Sequence, residues 1–392
     1  MRVTLAARQF LAVTTLLCAL LPLSGALAAE AMTTKARNAI IIDGETGAVL
    51  FEKDADKPFP PASLAKLMTM EVVFTAIEEN RFALAQEFKV SEHAWRTGGA
   101  PSGSSTMFAK LNSVVPLQDL IRGTIIQAAN DAAIVIAEGF AGSEANFAGL
   151  MNETARKLGL KNSTFANPTG LPADGQSVTV RDLTVLARHI QEAHGSFYGL
   201  YAQPDFEWNK IKQRNRNPLL AMNIGATGMG TGYTEASGYS LVGVTQLDGR
   251  TTFMALGGLS SIPERTEEAK RLLAWSNTAF RREQLFAEGS SVGTATVYGG
   301  DQPGVTLLTR EPVIAYVPSD RPETVTAMIR YDGPLQAPID AGARIGRLEV
   351  NIDGQLSVAH DLYAGQTVGR GTFAMRALDA AQELAFGWIK SL

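Results

Sequence analysis

Cysteine is nearly missing from this sequence of 392 residues. The one copy, Cys18, sits inside an N-terminal apolar run, and Leu17 precedes it where a lipoprotein signal would offer a small residue. If that segment is removed, the mature chain has no thiol, which excludes disulfides, thiolate nucleophiles and cysteine-ligated metal. Histidine is scarce as well. His93, His189, His194 and His360 are scattered, with no H-x-x-x-H or H-E-x-x-H spacing, so the sequence points to no metal and to no cofactor. A Ser-His-Asp triad would have to be assembled from distant parts of the chain, and nothing selects one histidine for it. There is no excess of basic charge: 35 Lys and Arg against 39 Asp and Glu leave a net charge of -4, which gives no electrostatic case for nucleic acid. Long hydrophobic runs are also absent beyond Phe10–Leu23, which is short for a membrane span and is interrupted near its end by Pro22.

That run follows Arg2 and Arg8 and leads to small residues at Ala26 and Ala28, the pattern of a secretory signal over residues 1–28. An uncleaved anchor is the alternative. The expected location is thus outside the inner membrane, in the periplasm or cell envelope. Residues 38–53 read as a strand pair around a turn at Gly44–Gly47. Pro60 and Pro61 then stand ahead of a helical stretch, Ser63–Glu79, because proline is accepted at a helix start and disfavoured inside one. Further helices are expected at Leu117–Gln127, Asp131–Gly139, Glu144–Leu158 and Val180–Glu192, strands return over Ile224–Leu259, and a helix from Pro263 to about Glu288 follows. With strands at both ends and helices between, residues 35–288 predict one α/β domain. Short strands at close intervals predict a small all-β, sandwich-like domain over 291–370. Residues 371–392 read as an amphipathic helix, with Arg376, Asp379, Glu383 and Lys390 on one stripe; it could lie in a bilayer interface or dock on its own protein.

The glycine-rich stretch "GATGMGTGYTEASGYSLVGV" at 225–244 is not the phosphate loop it first suggests, since it runs on as a strand instead of opening a helix. "PPASLAKLMT" carries more chemistry. Ser63 at a helix start has its oxygen near backbone donors, and Lys66, three residues on, emerges from the same face, where a desolvated amine can act as base. Taken alone, the pair is equally a helix cap and a surface lysine.

S-x-x-K, S-D-N and K-T-G form a known motif set. The stretches "IIIDGETGAVLFEKDADKPFPPASLAKLMT", "DLIRGTIIQAANDAAIVIAEG", "NSTFANPTGLPADGQSVTVRDL" and "GATGMGTGYTEASGYSLVG", with "IRYDGPLQAPIDAGARIGRLEV" further on, resemble the low-molecular-mass penicillin-binding proteins. These are serine-type D-alanyl-D-alanine carboxypeptidases of the peptidase S11 family. The resemblance runs from about residue 35 to the C-terminus. It implies a β-lactamase/transpeptidase-like catalytic domain, an antiparallel sheet with a helical subdomain, followed by the all-β domain. It also implies that Ser63 is the acyl-enzyme nucleophile, Lys66 its base and Asn130 a ligand of the substrate's peptide carbonyl. Thr231 and Gly232 would close the third motif, with Thr231 on the substrate carboxylate, and the backbone amides of Ser63 and Tyr233 would form the oxyanion hole. Peptidoglycan pentapeptide would be the substrate and β-lactams covalent inhibitors.

Two positions depart from the family pattern. Ala128 stands where the second motif begins with serine, and Gly230 where the third begins with lysine. No lysine or arginine lies within ten residues of Gly230; Arg265 is one candidate to reach in from elsewhere. Two functions follow: a carboxypeptidase with reduced activity, or a non-catalytic relative that binds envelope peptides or proteins.

Overall fold

The computed structural model describes residues 32–377; the expected signal segment and the C-terminal helix beyond its first turn at 373–377 lie outside the described residues. Asn38–Asp43 (β1) and Val49–Lys53 (β2) form the expected hairpin. They join Ala226–Thr234 (β3), Gly238–Leu247 (β4) and Arg250–Leu259 (β5) in an antiparallel sheet of order β2-β1-β5-β4-β3. The period of two in β1 decides which side chain faces which layer. Ile40 and Ile42 enter the main core. On the other face Ile41 is paired with Phe51, and Phe51 meets Trp275 edge-on at 6.0 Å. The chain termini of the domain therefore supply the sheet, and β3 is left at its edge.

The middle of the chain is helical: Ala65–Glu78 (α1), Leu117–Ile126 (α2), Asn130–Ala141 (α3), Glu144–Lys157 (α4) and Val180–Ala193 (α5). Eleven residues of α1 are buried, Lys66 and Glu71 among them, so this helix runs through the core and has no solvent face to speak of. Ser143 and Thr179 cap α4 and α5 by accepting from the backbone amides of Asn146 and Asp182.

The helix expected to run to Glu288 stops ten residues earlier. Ser261 caps Ile262–Thr278 (α6), and Phe280–Phe286 (β6) is a strand. Its Arg-Arg-Glu-Gln run reads as helix by propensity, but pairing with Val313–Pro318 (β9) overrides it. Four strands complete the second module around β9: Ser291–Tyr298 (β7), Gly304–Leu308 (β8), Val325–Tyr331 (β10) and Leu335–Gln336 (β11), then Arg344–Ile352 (β12) and Gln355–Ala364 (β13) close it. Strands other than β6 and β9 form a six-stranded sheet of order β10-β12-β13-β8-β7-β11. Both sheets send side chains, such as Val313, Ala315, Val297, Leu348 and Leu362, into one second core. At the junction Arg282 makes two hydrogen bonds to Glu45, at 2.6 and 2.8 Å.

Candidate active site

The prolines end the extended approach, and Ala62–Leu64 form a single 3-10 turn that feeds into α1 at Ala65. Ala62 is held at φ +47, in the left-handed region that alanine seldom occupies. Its surroundings account for this. A Cβ on Gly170 would overlap the Ala62 carbonyl oxygen, and one on Gly232 would stand 3.1 Å from the Ala62 Cβ. Two glycines thus let two backbones grip the residue before the nucleophile, which fixes where Ser63 points.

Lys66 is fully buried and its Nζ has three partners: Ser63 Oγ at 3.1 Å, Asn130 Oδ1 at 2.7 Å and the Thr169 carbonyl oxygen at 2.6 Å. Burial pulls its pKa down to about 7, against the nearby Asp131, which raises it. A neutral amine has two hydrogens and one lone pair. Asn130 Oδ1 and Thr169 O can only accept, so they take both hydrogens, and the lone pair is left on the Ser63 hydroxyl. The arrangement therefore becomes a base as the amine loses its charge.

Each acceptor is braced. Asn167 Oδ1 accepts from the Thr169 amide at 3.2 Å, its hydroxyl at 2.8 Å and the Gly170 amide at 2.7 Å, while Thr69 Oγ1 donates to the Pro168 carbonyl at 2.7 Å. Asn130 donates through Nδ2 to Ser104 Oγ at 2.9 Å. Ser102 Oγ lies 2.7 Å from Ser104 Oγ and donates to the Gly99 carbonyl at 2.7 Å. With that hydrogen spent, Ser104 must donate to Ser102, so its hydroxyl orients Asn130 and has no proton to spare for a relay. Asp131 is buried and pins the preceding loop by accepting from Thr106 Oγ1 and from the amides of Met107 and Ala109, at 2.6, 2.9 and 3.1 Å; burial raises its carboxyl pKa.

Thr231, Gly230 and Ala128 line the same cleft as Ser63 and Lys66. Gly232 and Tyr233 follow on β3, with Tyr233 exposed and stacked on Tyr239 at 4.2 Å. Ala128 sits at φ +54 between α2 and α3, and a Cβ on Gly230 would meet nothing within 4 Å. The lysine position is open space.

Arg265 does not fill it. Its side chain is buried, with the guanidinium 5.8 Å from the Tyr239 ring, and it is not among the cleft residues. The cleft does contain a cation that sequence spacing missed. Arg216 is exposed there, tethered by its backbone amide to the Ile126 carbonyl at 3.0 Å and by Nε to Gln127 Oε1 at 3.3 Å. It lies fourteen positions before Gly230 in the chain, in the run "NRNP" whose two asparagines build turns: Asn217 caps the next short helix. Thr169, Ser104 and Asp131 were missed too, since only the fold brings them to Lys66.

The chain resembles known proteins over most of its length. A model described as D-alanyl-D-alanine carboxypeptidase matches residues 26–256, and one described as the C-terminal domain of penicillin-binding protein 5 matches 280–370. The chain is 35% identical over 366 residues to D-alanyl-D-alanine carboxypeptidase DacC of Escherichia coli, covering 92% of this chain and 91% of that protein. DacD of the same organism is 35% identical over 347 residues, covering 87% and 88%. Penicillin-binding protein 5 of Haemophilus influenzae superposes with a TM-score of 0.74 at 32% identity, covering 86% of this chain and 99% of that one.

Proposed function

The chain belongs to the D-alanyl-D-alanine carboxypeptidase family of serine peptidases, and we propose that it releases terminal D-alanine from peptidoglycan stem peptides through an acyl-enzyme on Ser63. The observation that carries this is the buried Lys66 amine, with both hydrogens directed to carbonyl-type oxygens and its lone pair to Ser63. Lys66 takes the hydroxyl proton as Ser63 Oγ attacks the carbonyl carbon of the penultimate residue. The oxyanion accepts from the backbone amides of Ser63 and Tyr233. Collapse breaks the C–N bond, and the proton held on Lys66 leaves with the amine of D-alanine. Water then attacks the ester with Lys66 again as base. The second hydrogen on Asn130 Nδ2 serves the substrate carbonyl, and Thr231 with Arg216 receives the terminal carboxylate. A β-lactam enters the same cycle and stops at the ester.

The same reading divides the chain at about residue 279, where α6 gives way to a strand of the second module. It places the protein in the cell envelope, with the amphipathic helix expected at 371–392 resting on the membrane surface. No described helix is long and apolar enough to cross a membrane, and Phe373, at the start of that helix, is 81% exposed.

D-alanine release from a D-Ala-D-Ala-terminated peptide, with Ser63→Ala as control, tests the reading. Release that Ser63→Ala abolishes, and a penicillin adduct of one equivalent on Ser63 by intact mass, are expected. No release and no adduct after long incubation would favour a protein that only binds envelope peptides.

A further inference from the structure

Lys66 is one of two buried charged side chains on α1, and the mechanism leaves the other unused. Glu71 is 2% exposed and lies five residues further along the helix. One of its carboxylate oxygens is 3.2 Å from His189 Nε2 on α5, and the other is 3.1 Å from His194 Nε2 at the end of that helix. The second ring nitrogen of His194, Nδ1, is 2.8 Å from a carboxylate oxygen of Glu78, one helical stretch further on α1. Two residues called scattered in the sequence are therefore brought together by the packing of α5 on α1.

The hydrogen-bond inventory of this cluster does not close with neutral histidines. A carboxylate only accepts, so the proton of a neutral His194 goes to Glu78 from Nδ1. The lone pair on Nε2 then faces a lone pair of Glu71 in a buried site, acceptor against acceptor. Some cation must stand between them. A proton on His194 is one solution, with a neutral His189 donating Nε2–H to the other Glu71 oxygen; a single metal ion drawing on all three groups is the other. The donor atoms of Glu71, His189 and His194 all lie within 4.8 Å of one another. Donors 2.0–2.1 Å from a tetrahedral centre stand roughly 3.3 Å apart; each histidine nitrogen is about that far from one of the two Glu71 oxygens, so a single ion would draw the three groups in from their present spacing. A ligating imidazole also characteristically gives its other nitrogen to a carboxylate, which fixes the tautomer, and Glu78 is in that position.

We propose that Glu71, His189 and His194 bind one divalent transition-metal ion, of the zinc type, which clips α1 to α5 behind the nucleophile. Two imidazoles and one carboxylate suit zinc, and the set leaves a fourth position open. Access comes from the His189 side, whose side chain is 35% exposed and borders a groove with Val185, Arg188 and Glu192. The proposal does not depend on peptidase activity, so either can fail without the other.

The test uses full-length protein without a histidine tag, stripped with chelator and titrated with Zn²⁺ against a chromophoric chelator. One equivalent should bind in the micromolar range or tighter, and Co²⁺ in its place should give the intense visible bands of a tetrahedral site. His189→Ala, at a position whose side chain is 35% exposed, should lower the affinity at least about 100-fold while the circular dichroism spectrum and melting temperature of the metal-free protein stay those of the wild type. Glu78→Gln should weaken binding about 10- to 100-fold with the stoichiometry kept. No saturable binding, or binding that His189→Ala leaves unchanged, would overturn the proposal and leave a proton on His194 as the occupant.

Discussion

The two walls of the cleft are built to different standards. On the α1 wall the Lys66 amine makes three short hydrogen bonds, and each partner is itself held by others, through Asn167 on one side and Ser104 on the other. On the facing wall the space beside Gly230 on β3 is open, Ala128 in the turn between α2 and α3 brings no hydroxyl, and the cation that lines the cleft is an exposed arginine, Arg216. Acylation chemistry and substrate capture are thus separable here. One wall is complete and the other is improvised.

The largest expected effect lies on the complete wall. Lys66→Ala should lower the rate of penicillin acylation of Ser63 by about 10²- to 10⁴-fold, the range for losing a positioned base. The wild-type rate should also depend on pH with a known sign. The working form is the neutral amine, so the rate should climb as pH rises through about 7 and level off above it. A rate that is flat from pH 5 to 9 would mean that Lys66 is not the base.

A medium effect belongs to the improvised wall. If Arg216 holds the carboxylate, its charge-assisted contact is worth about 1.5–3 kcal/mol, so Arg216→Ala should cut kcat/KM for a D-Ala-D-Ala peptide roughly 10- to 150-fold. A C-terminally amidated peptide separates charge from shape. The wild type should discriminate against it and Arg216→Ala should not; equal treatment by both would assign the carboxylate elsewhere.

The same contrast explains what could be read before the fold was known. Ser63 and Lys66 are three residues apart on one helix, and their relation is local, so sequence spacing carries it. The sheet formed by the two ends of the domain was legible from the short apolar runs of β1, β4 and β5 and the glycine turns that bound them. The supports of the complete wall were not, because Thr169 comes to Lys66 from more than a hundred positions away and its segment looks like an ordinary Asn-Pro turn. Arg216 escaped for a related reason: a search near Gly230 follows the chain, while the cleft follows the backbone tether between Arg216 and the end of α2. The end of α6 was misplaced because helical propensity in "RREQ" competes with strand pairing that only the second module supplies.

The smallest effect is the one that would rebuild the poorer wall. Gly230 has room for a side chain, and Ala128 already carries a Cβ at its left-handed φ, so Gly230→Lys with Ala128→Ser asks for no backbone change. D-alanine release should rise at least about tenfold, a floor beneath the usual gain from an added proton relay. The new ammonium brings a second signature. A like charge facing Lys66 disfavours its protonated form, so the pH limb should shift below about 7, and Arg216→Ala in this background should cost less than it does alone. A gain in rate with an unmoved pH limb would place the added lysine on the substrate only, out of reach of the base. No gain at all would mean that Arg216 and Thr231 already complete a wall of a different design.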